Sequence, residues 1–211
     1  MAGGPEIGID HLILGIGDLE RGIEQFEGLT GVRPVFGGVH PGRATQNALV
    51  SLGEGQYLEI LAPDPRQTVD AQVLQGLRTL ESLTPVGWAA AAQDLEGVQA
   101  RLTAAAIQTT PIRPGSRALP DGTRLEWSTL GLAASQSVTL PFFIRWADMS
   151  VHPSRTTPVG CTLASLRLQD PAPERVRAVL GSLPRGVVVE AGAEPGLSFI
   201  LDCPAGRVTF G

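Results

Sequence analysis

The chain has 211 residues, of which 43% are hydrophobic and 18% charged, and its formal net charge is −5. This balance supports a packed core and excludes general disorder, while the scattered basic residues exclude a nucleic-acid-binding protein. No apolar run is long enough to span a bilayer and no secretory signal begins the chain, so we expect no membrane contact and a cytoplasmic location.

The first third of the chain predicts the element order β-α-β-β-β. Alternation makes 7–15 a strand in which His11 shares a face with Ile9 and Ile13. Asp18 is placed to cap the amphipathic helix that follows. A brief strand at 32–36, a GGVHPGR loop and further strands at 45–52 and 56–61 complete the unit.

The same order is predicted a second time in the middle of the chain. Asp94 caps a second helix, and strand character recurs at 86–92, 124–130 and 140–146. A repeated supersecondary unit predicts an α+β fold with two tandem βαβββ modules, about 5–65 and 85–147, within a domain spanning 1–150.

Residues 151–211 predict a fragment of the same unit. Strand-like runs and one helix that begins at a proline give a partial third βαββ module, at 163–168, 173–180, 187–190 and 197–201. We expect this module to pack on the first two and cover an open sheet edge, with a substrate-binding lid as the alternative.

Two cysteines, Cys161 and Cys203, lie at the ends of strand-like runs. They could pair in principle, but two thiols in a chain of this size favour reduced, buried side chains with a structural role. We therefore expect inert thiols.

His11 lies in the first predicted strand, and Glu59 shares a face of the last strand of the first module with Tyr57 and Leu61. If the module curls, both polar side chains point into one concave surface, where a buried carboxylate must be paired or metal-bound. Nitrogen and oxygen donors suit Zn, Mn, Fe or Ni, and no cysteine lies near enough in the chain for a thiolate site. The alternative is a His–Glu hydrogen bond without a metal.

Several motifs of the first module occur together in a known family. They are DH in the first strand, the helix DLERGIEQFE, the loop HPGR and the strand YLEIL, followed further on by PFFIRW and HPS. With them the chain resembles the glyoxalase-like branch of the vicinal oxygen chelate superfamily. The resemblance implies that two βαβββ modules build a cup, and that four strands each contribute one ligand to a divalent metal. It assigns His11 and Glu59 to the first module's share.

The second module departs from that pattern. Aligning the two helix caps places Gly87 or Trp88 at the position of the expected His or Gln, and Arg145 at the position of the expected acid. A protonated arginine has no lone pair for a metal, so Arg145 is expected to pair with Glu59 in a metal-free cup that binds anions. Trp88 is first a core residue, and beside the vacant ligand position it would line the pocket.

Further candidates lie in polar loops. His40 is expected to act in catalysis, and Arg43, Asn47 and His152 in substrate binding; for each loop residue the alternative is a solvated side chain. Glu126 is a further carboxylate, for which a solvent-facing position is favoured.

Three functions follow from these residues. The first is a lyase, isomerase or dioxygenase that uses a metal to polarise vicinal oxygens of a small substrate, with Glu59 or His40 moving protons. The second is a module that binds or sequesters a small molecule without chemistry. The third is metal-free acid–base catalysis by Glu59. Two modules in one chain build a whole cup without a partner, so the protein is expected to be a monomer or a homodimer.

Overall fold

Two β-α-β-β-β modules share one eight-stranded sheet in the computed structural model, which describes residues 7–40, 42–53, 55–67, 72–118, 124–133 and 137–211. The first module consists of β1 (Ile7–Gly15), α1 (Leu19–Thr30), β2 (Val35–His40), β3 (Thr45–Gly53) and β4 (Gln56–Pro63). After α2 (Gln72–Arg78), the second consists of β5 (Thr84–Ala92), α3 (Leu95–Ala104), β6 (Arg113–Ala118), β7 (Arg124–Leu130) and β8 (Phe142–Trp146). The predicted repeat is confirmed.

The sheet curls into a nearly closed cup. Its strand order is β2-β3-β4-β1-β5-β8-β7-β6, so the first strands of the two modules lie antiparallel at the centre. In each module the first strand pairs in parallel with the last. Although β2 and β6 stand at opposite ends of the order, they contact each other and bring the far edges of the two modules together.

Side-chain alternation assigns the apolar residues to the outer face of this sheet. The helices and the C-terminal part of the chain cover that face, in a core that includes Leu12, Leu14, Leu58, Ile60 and Trp88. Residues between them in sequence point into the cup. No helix in the described ranges is both long and apolar enough to cross a membrane.

Equivalent aspartates begin the two module helices, as their positions in the sequence predict. The Asp18 carboxylate accepts a hydrogen bond from the Arg21 backbone N–H at 2.9 Å. Asp94 accepts one from the Gly97 N–H at 2.8 Å. Each bond satisfies an N–H group that would otherwise lack a partner in the first turn.

The predicted GGVHPGR loop is in part a strand. Residues 37–40 belong to β2, so that His40 ends a strand and pairs with Thr45 instead of lying in a free loop. The prediction of a loop was wrong for residues 37–40, because consecutive glycines usually indicate a turn. Here they make room for neighbouring side chains.

The C-terminal part contains one more strand than predicted. After a 3₁₀ turn at Pro153–Arg155 it comprises β9 (Thr162–Asp170), α4 (Pro173–Leu180), β10 (Val187–Ala191), β11 (Gly196–Cys203) and β12 (Gly206–Phe210). These strands form a sheet of their own, in the order β10-β9-β11-β12, and do not extend an edge of the cup. The small sheet packs on the outer side of the cup, where Phe210 stacks on Phe26 of α1 with ring centroids 5.9 Å apart.

The cysteines form a disulfide bond, which corrects the prediction of two free thiols. Cys161 directly precedes β9 and Cys203 ends β11, and these strands pair antiparallel with Thr162 opposite Asp202. The pairing thus places the two Cα atoms 4.2 Å apart, although 42 positions separate the residues in sequence. A cytoplasmic location stays a prediction.

Arg101 joins the second module to the C-terminal helix. Its Nη1 and Nη2 atoms donate to the carbonyls of Ala178 and Val179, at 2.8 and 2.7 Å. These carbonyls lie in the last turn of α4, where helical partners are missing and a cation is favoured. Partial burial of the guanidinium lowers the pKa of Arg101.

Replacing Arg101 with alanine is expected to lower the free energy of unfolding by about 1–3 kcal/mol, because two carbonyls lose a charged donor. Urea unfolding of the Arg101→Ala protein measures the loss. Arg175→Ala, at an exposed position of α4, is the control and is expected to change the value by less than about 0.5 kcal/mol. Equal stability of the two variants would refute the role of Arg101.

Candidate functional site

All three histidines of the chain point toward one polar region of the cup. It is built chiefly from β1, β3 and β4, whose alternation directs His11, Asn47 and Glu59 inward while Leu58 and Ile60 enter the core. His11 and Glu59 are only 3% and 8% exposed. Burial of this many polar groups requires that they satisfy one another.

The side chains of Asp10 and His11 contact each other in the cup. In a regular strand, two consecutive side chains would point to opposite faces of the sheet. The pairing of β1 with β5 shifts by one residue between Ile9 and His11, so Ile9 enters the core and His11 does not share its face as predicted. The shift lets the Asp10 carboxylate lie 2.7 Å from His11 Nδ1. Sequence alternation alone gives no sign of it.

Asp10 is held as an ionised acceptor. Besides His11, its carboxylate accepts from Trp146 Nε1 at 2.9 Å, and His152 Nε2 lies 3.3 Å away. Burial favours a raised pKa for Asp10, but the hydrogen bonds and charges of His11 and His152 outweigh it and lower the pKa to about 2. His11 Nδ1 therefore donates its proton to Asp10, and in the neutral ring the Nε2 lone pair faces the cup.

Glu59 lies among donors and imidazoles. Asn47 Nδ2 donates to Glu59 Oε1 at 2.6 Å. His11 Nε2 lies 3.7 Å from Oε2, and His40 Nε2 lies 3.8 Å from Oε1. At 3.7 Å the Glu59 carboxylate and the His11 ring are not hydrogen-bonded to each other, but both face the cup, where each can exchange a proton with a bound molecule.

His40 completes the polar wall from the end of β2. Its Nδ1 lies 2.8 Å from the Thr45 hydroxyl, and Asn47 Nδ2 lies 3.4 Å from its Nε2. Burial lowers the pKa of His40 against the opposing charge of Glu59, and the positive charge of Arg117 lowers it further. The lowered pKa favours a neutral imidazole, able to accept a proton near neutral pH.

Arg117 was not identified from the sequence, yet it reaches the site from β6 of the second module. Its Nη1 donates to Asn47 Oδ1 at 3.0 Å, and the residue is 9% exposed. Burial lowers the pKa of Arg117, and the charge of Glu59 opposes that effect. No motif marks Arg117, because its place depends on β2 and β6 meeting.

Two glycines of β2 make room for this contact. A Cβ atom at Gly37 would lie 2.5 Å from Asn47 Oδ1, and one at Gly38 would lie 2.9 Å from Arg117 Cδ. Gly38 also has φ +136°, a conformation that other residues rarely adopt. The glycine pair is thus a local requirement of the network that joins Asn47 to Arg117.

His152 reaches the site from the segment that follows β8. Its Nδ1 lies 3.2 Å from the Ser154 backbone N–H, which leaves Nε2 to donate to Asp10. The ring also lies edge-on to Tyr57 and Trp146, with centroid distances of 5.4 and 5.2 Å. The predicted site residue His152 thus lies beside the Asp10–His11 pair.

Three of the predicted substrate-binding residues lie elsewhere. Trp88 is 1% exposed in the core of the outer face, where its Nε1 donates to the Thr139 carbonyl. Arg145 pairs with Glu96 of α3 at 2.7 Å and not with Glu59, because alternation along β8 turns it outward. Arg43 is exposed, although its charge still acts on His40.

Glu126 has the favoured solvent-facing position. Its side chain is 57% exposed and lies 3.2 Å from Arg124. It borders a groove of about 520 Å³ beside β6, β7 and β8, and Arg145 borders the same groove. Neither side chain belongs to the polar region around Glu59.

The residues of the second module that correspond to His11 and Glu59 have no side chain that can bind a metal. Superposing the two helix caps puts Gly87 opposite His11. The strand registers within the two modules then place Phe142 at the counterpart of Glu59, which corrects the assignment of Arg145 to that position. The Phe142 ring packs edge-on to the His11 ring at 5.5 Å.

A resident divalent metal does not fit the donors that remain. Within the described ranges, no group of three or more His, Cys, Asp or Glu side chains has the arrangement of a metal site. The Asn47 amide N–H occupies Glu59 Oε1, and the nearby guanidinium of Arg117 opposes a second cation. The geometry fits proton transfer and anion binding better than metal chelation.

Comparison with known proteins places the fold. A family model described as a glyoxalase-like domain matches residues 9–183. No curated protein sequence matches the chain. A hypothetical protein from Staphylococcus aureus is similar over 97% of this chain and 85% of its own, with 16% identity and a TM-score of 0.66.

Two weaker structural matches are epimerases. A methylmalonyl-CoA epimerase from Mycobacterium tuberculosis is similar over 66% of this chain and 86% of its own, with 16% identity and a TM-score of 0.45. A Streptomyces coelicolor methylmalonyl-CoA epimerase variant in complex with 2-nitronate-propionyl-CoA covers 68% of this chain and 97% of its own, with 16% identity and a TM-score of 0.46. At these identities the likeness concerns the fold alone.

Proposed function

This chain belongs to the glyoxalase-like domain family, and from that premise we propose that its cup binds a small molecule and moves a proton on it without a resident metal. The observation that carries the proposal is the buried Glu59 carboxylate, which has two imidazole nitrogens within 4 Å. The reaction class is an isomerase or lyase that removes a proton next to a carbonyl. A dioxygenase would need a metal centre, for which the donor set does not fit.

Glu59 is the proposed base. Its Oε2 and His11 Nε2 lie 3.7 Å apart and both face the cup, so one group can take a proton from the bound molecule and the other can return a proton at a different position. Asp10 fixes the tautomer and the orientation of His11 through the 2.7 Å contact to Nδ1. His40, neutral through its lowered pKa, is the proposed second acceptor on the other side of Glu59.

Non-catalytic binding of a small molecule is the second candidate. The second module's side of the cup is apolar where Gly87 and Phe142 stand at the counterparts of His11 and Glu59, and the Phe142 ring packs on His11. Such a surface suits retention of an apolar or aromatic group. Proton exchange on a bound molecule separates the two functions, because only the enzyme catalyses it.

Deuterium exchange tests the catalytic proposal. The full chain, dialysed against EDTA, is mixed in D₂O with a panel of small α-keto acids, α-hydroxy acids and α-hydroxy ketones, and loss of the α-proton is followed by ¹H NMR. We expect exchange with part of the panel, and a Glu59→Gln variant slowed about 100-fold or more.

The matched control is Glu126→Gln, an exposed carboxylate of β7, which is expected to exchange at the wild-type rate. Equal exchange by the Glu59→Gln variant, or exchange only after a divalent metal is added, would contradict the proposal. Binding of panel members without exchange would favour the second candidate.

Two further proposals have their own tests. Light scattering would test the proposed monomer or homodimer, and cell fractionation would test the proposed cytoplasmic location.

A further inference from the structure

We propose that Arg117 makes the cup a site for oxyanions, so that its ligand has a carboxylate or an enolate-type oxygen bound by the guanidinium in place of a metal. The inference rests on the proposed small-molecule cup and names the chemical class of its ligand. The evidence is the position of one buried arginine and the state of its donors.

Arg117 stands where the two modules close the cup. It lies on β6, the last strand in the sheet order, and reaches the polar wall next to β2, the first. Gly38 of β2 has no side chain where the arginine stem passes. A cation therefore comes to the polar wall of the first module from the opposite module, where it can contact a molecule held between them.

The guanidinium has donor capacity left over. Nη1 bonds the neutral amide of Asn47, and Nε is buried without a hydrogen-bond partner among the described residues. Among the described residues, no carboxylate oxygen lies within 4.0 Å of a guanidinium nitrogen of Arg117. A buried donor without a partner is costly, and buried charges are normally paired, so the arrangement calls for an anionic acceptor.

The geometry of arginine selects the ligand. Its planar fork presents parallel N–H groups that match the two oxygens of a carboxylate, whereas a metal would accept lone pairs from any donor. Because Asn47 bonds both Arg117 and Glu59, an oxyanion on the guanidinium would lie close to the carboxylate that removes the proton. The same cation would stabilise negative charge that develops on that oxygen.

Binding of pyruvate to the EDTA-dialysed full chain, by calorimetry, tests the inference against acetone and methyl pyruvate as uncharged probes. We expect pyruvate to bind at least tenfold more tightly than either, Arg117→Met to abolish this preference, and Arg117→Lys to retain part of it. Arg124→Met, at an exposed position of β7, is the control and should bind as the wild type does. Circular dichroism tests whether each variant is folded. If Arg117→Met is unfolded, the inference is tested by Arg117→Lys and by the comparison of pyruvate with the uncharged probes.

Three results would overturn the inference: no pyruvate binding by the wild type, equal binding of the uncharged probes, or undiminished preference in Arg117→Met. The Glu59→Gln variant separates this inference from the proposed function. It should bind pyruvate at least as tightly as the wild type, since a negative charge has been removed, while failing to exchange protons. Binding without exchange in the wild type would refute the catalytic proposal and leave the oxyanion site standing.

Discussion

Removal of the Cys161–Cys203 disulfide is expected to lower the free energy of unfolding by about 4 kcal/mol, which corresponds to a fall in Tm of about 10 °C. The bond closes a loop defined by a sequence separation of 42. In the chain-entropy model, such a loop restricts the unfolded chain far more than the folded one. The double variant Cys161→Ala/Cys203→Ala, compared with the wild type by calorimetry, measures the effect.

Reductant supplies the control for this prediction. The wild type in a thiol-free phosphine reductant should approach the stability of the double variant, while the double variant itself should not respond to the reductant. A wild type whose unfolding is unaffected by reductant, and which contains two thiols titratable after unfolding without reduction, would show that the cysteines are free in solution. The original prediction of inert thiols would then be reinstated.

Local patterns were sufficient to predict the framework of the cup. The strand around His11, the helix capped by Asp18 and the strand containing Glu59 follow from alternation, capping and periodicity within about ten residues. These signals act over short distances in the chain. The pair His11 and Glu59 was therefore identified correctly as lying in one polar region, although its role stays a prediction.

The parts of the site that escaped prediction depend on contacts between distant strands. Arg117 contacts Asn47 only because β2 and β6 meet, a closure that neither strand signals by itself. The assignment of Arg145 failed for a related reason, since it lies three positions from Phe142 and an odd shift in strand register turns a side chain to the opposite face. Asp10 was overlooked because the irregular pairing of β1 with β5 is not encoded in alternation.

Replacing Asp10 with asparagine is expected to destabilise the protein at pH 7 by about 2–4 kcal/mol. The carboxylate faces His11 Nδ1, Trp146 Nε1 and His152 Nε2, at 2.7, 2.9 and 3.3 Å. An amide of the same shape has one acceptor oxygen, so its NH₂ group must face at least one of these donors. Urea unfolding of the Asp10→Asn protein measures the cost, with exposed Asp148→Asn as the control.

The stabilisation that Asp10 provides is expected to decrease as the pH falls. The pKa of Asp10 is about 2 in the folded protein against an ordinary value of 3.8, so the unfolded chain takes up the proton first as the pH falls. The stability that Asp10 contributes is therefore complete above about pH 4 and is lost between about pH 4 and pH 2. The shift corresponds to about 2.5 kcal/mol, in line with the expected cost of the substitution.

The difference in unfolding free energy between the wild type and Asp10→Asn should accordingly be constant from pH 7 to pH 5 and smaller at pH 3. A difference that does not change with pH would mean that the loss arises from packing and not from the charge. If the charge holds His11 in place, Asp10→Asn should also reduce deuterium exchange while leaving pyruvate binding by Arg117 intact. Stability, proton transfer and anion binding would then be assigned to separate residues of one cup.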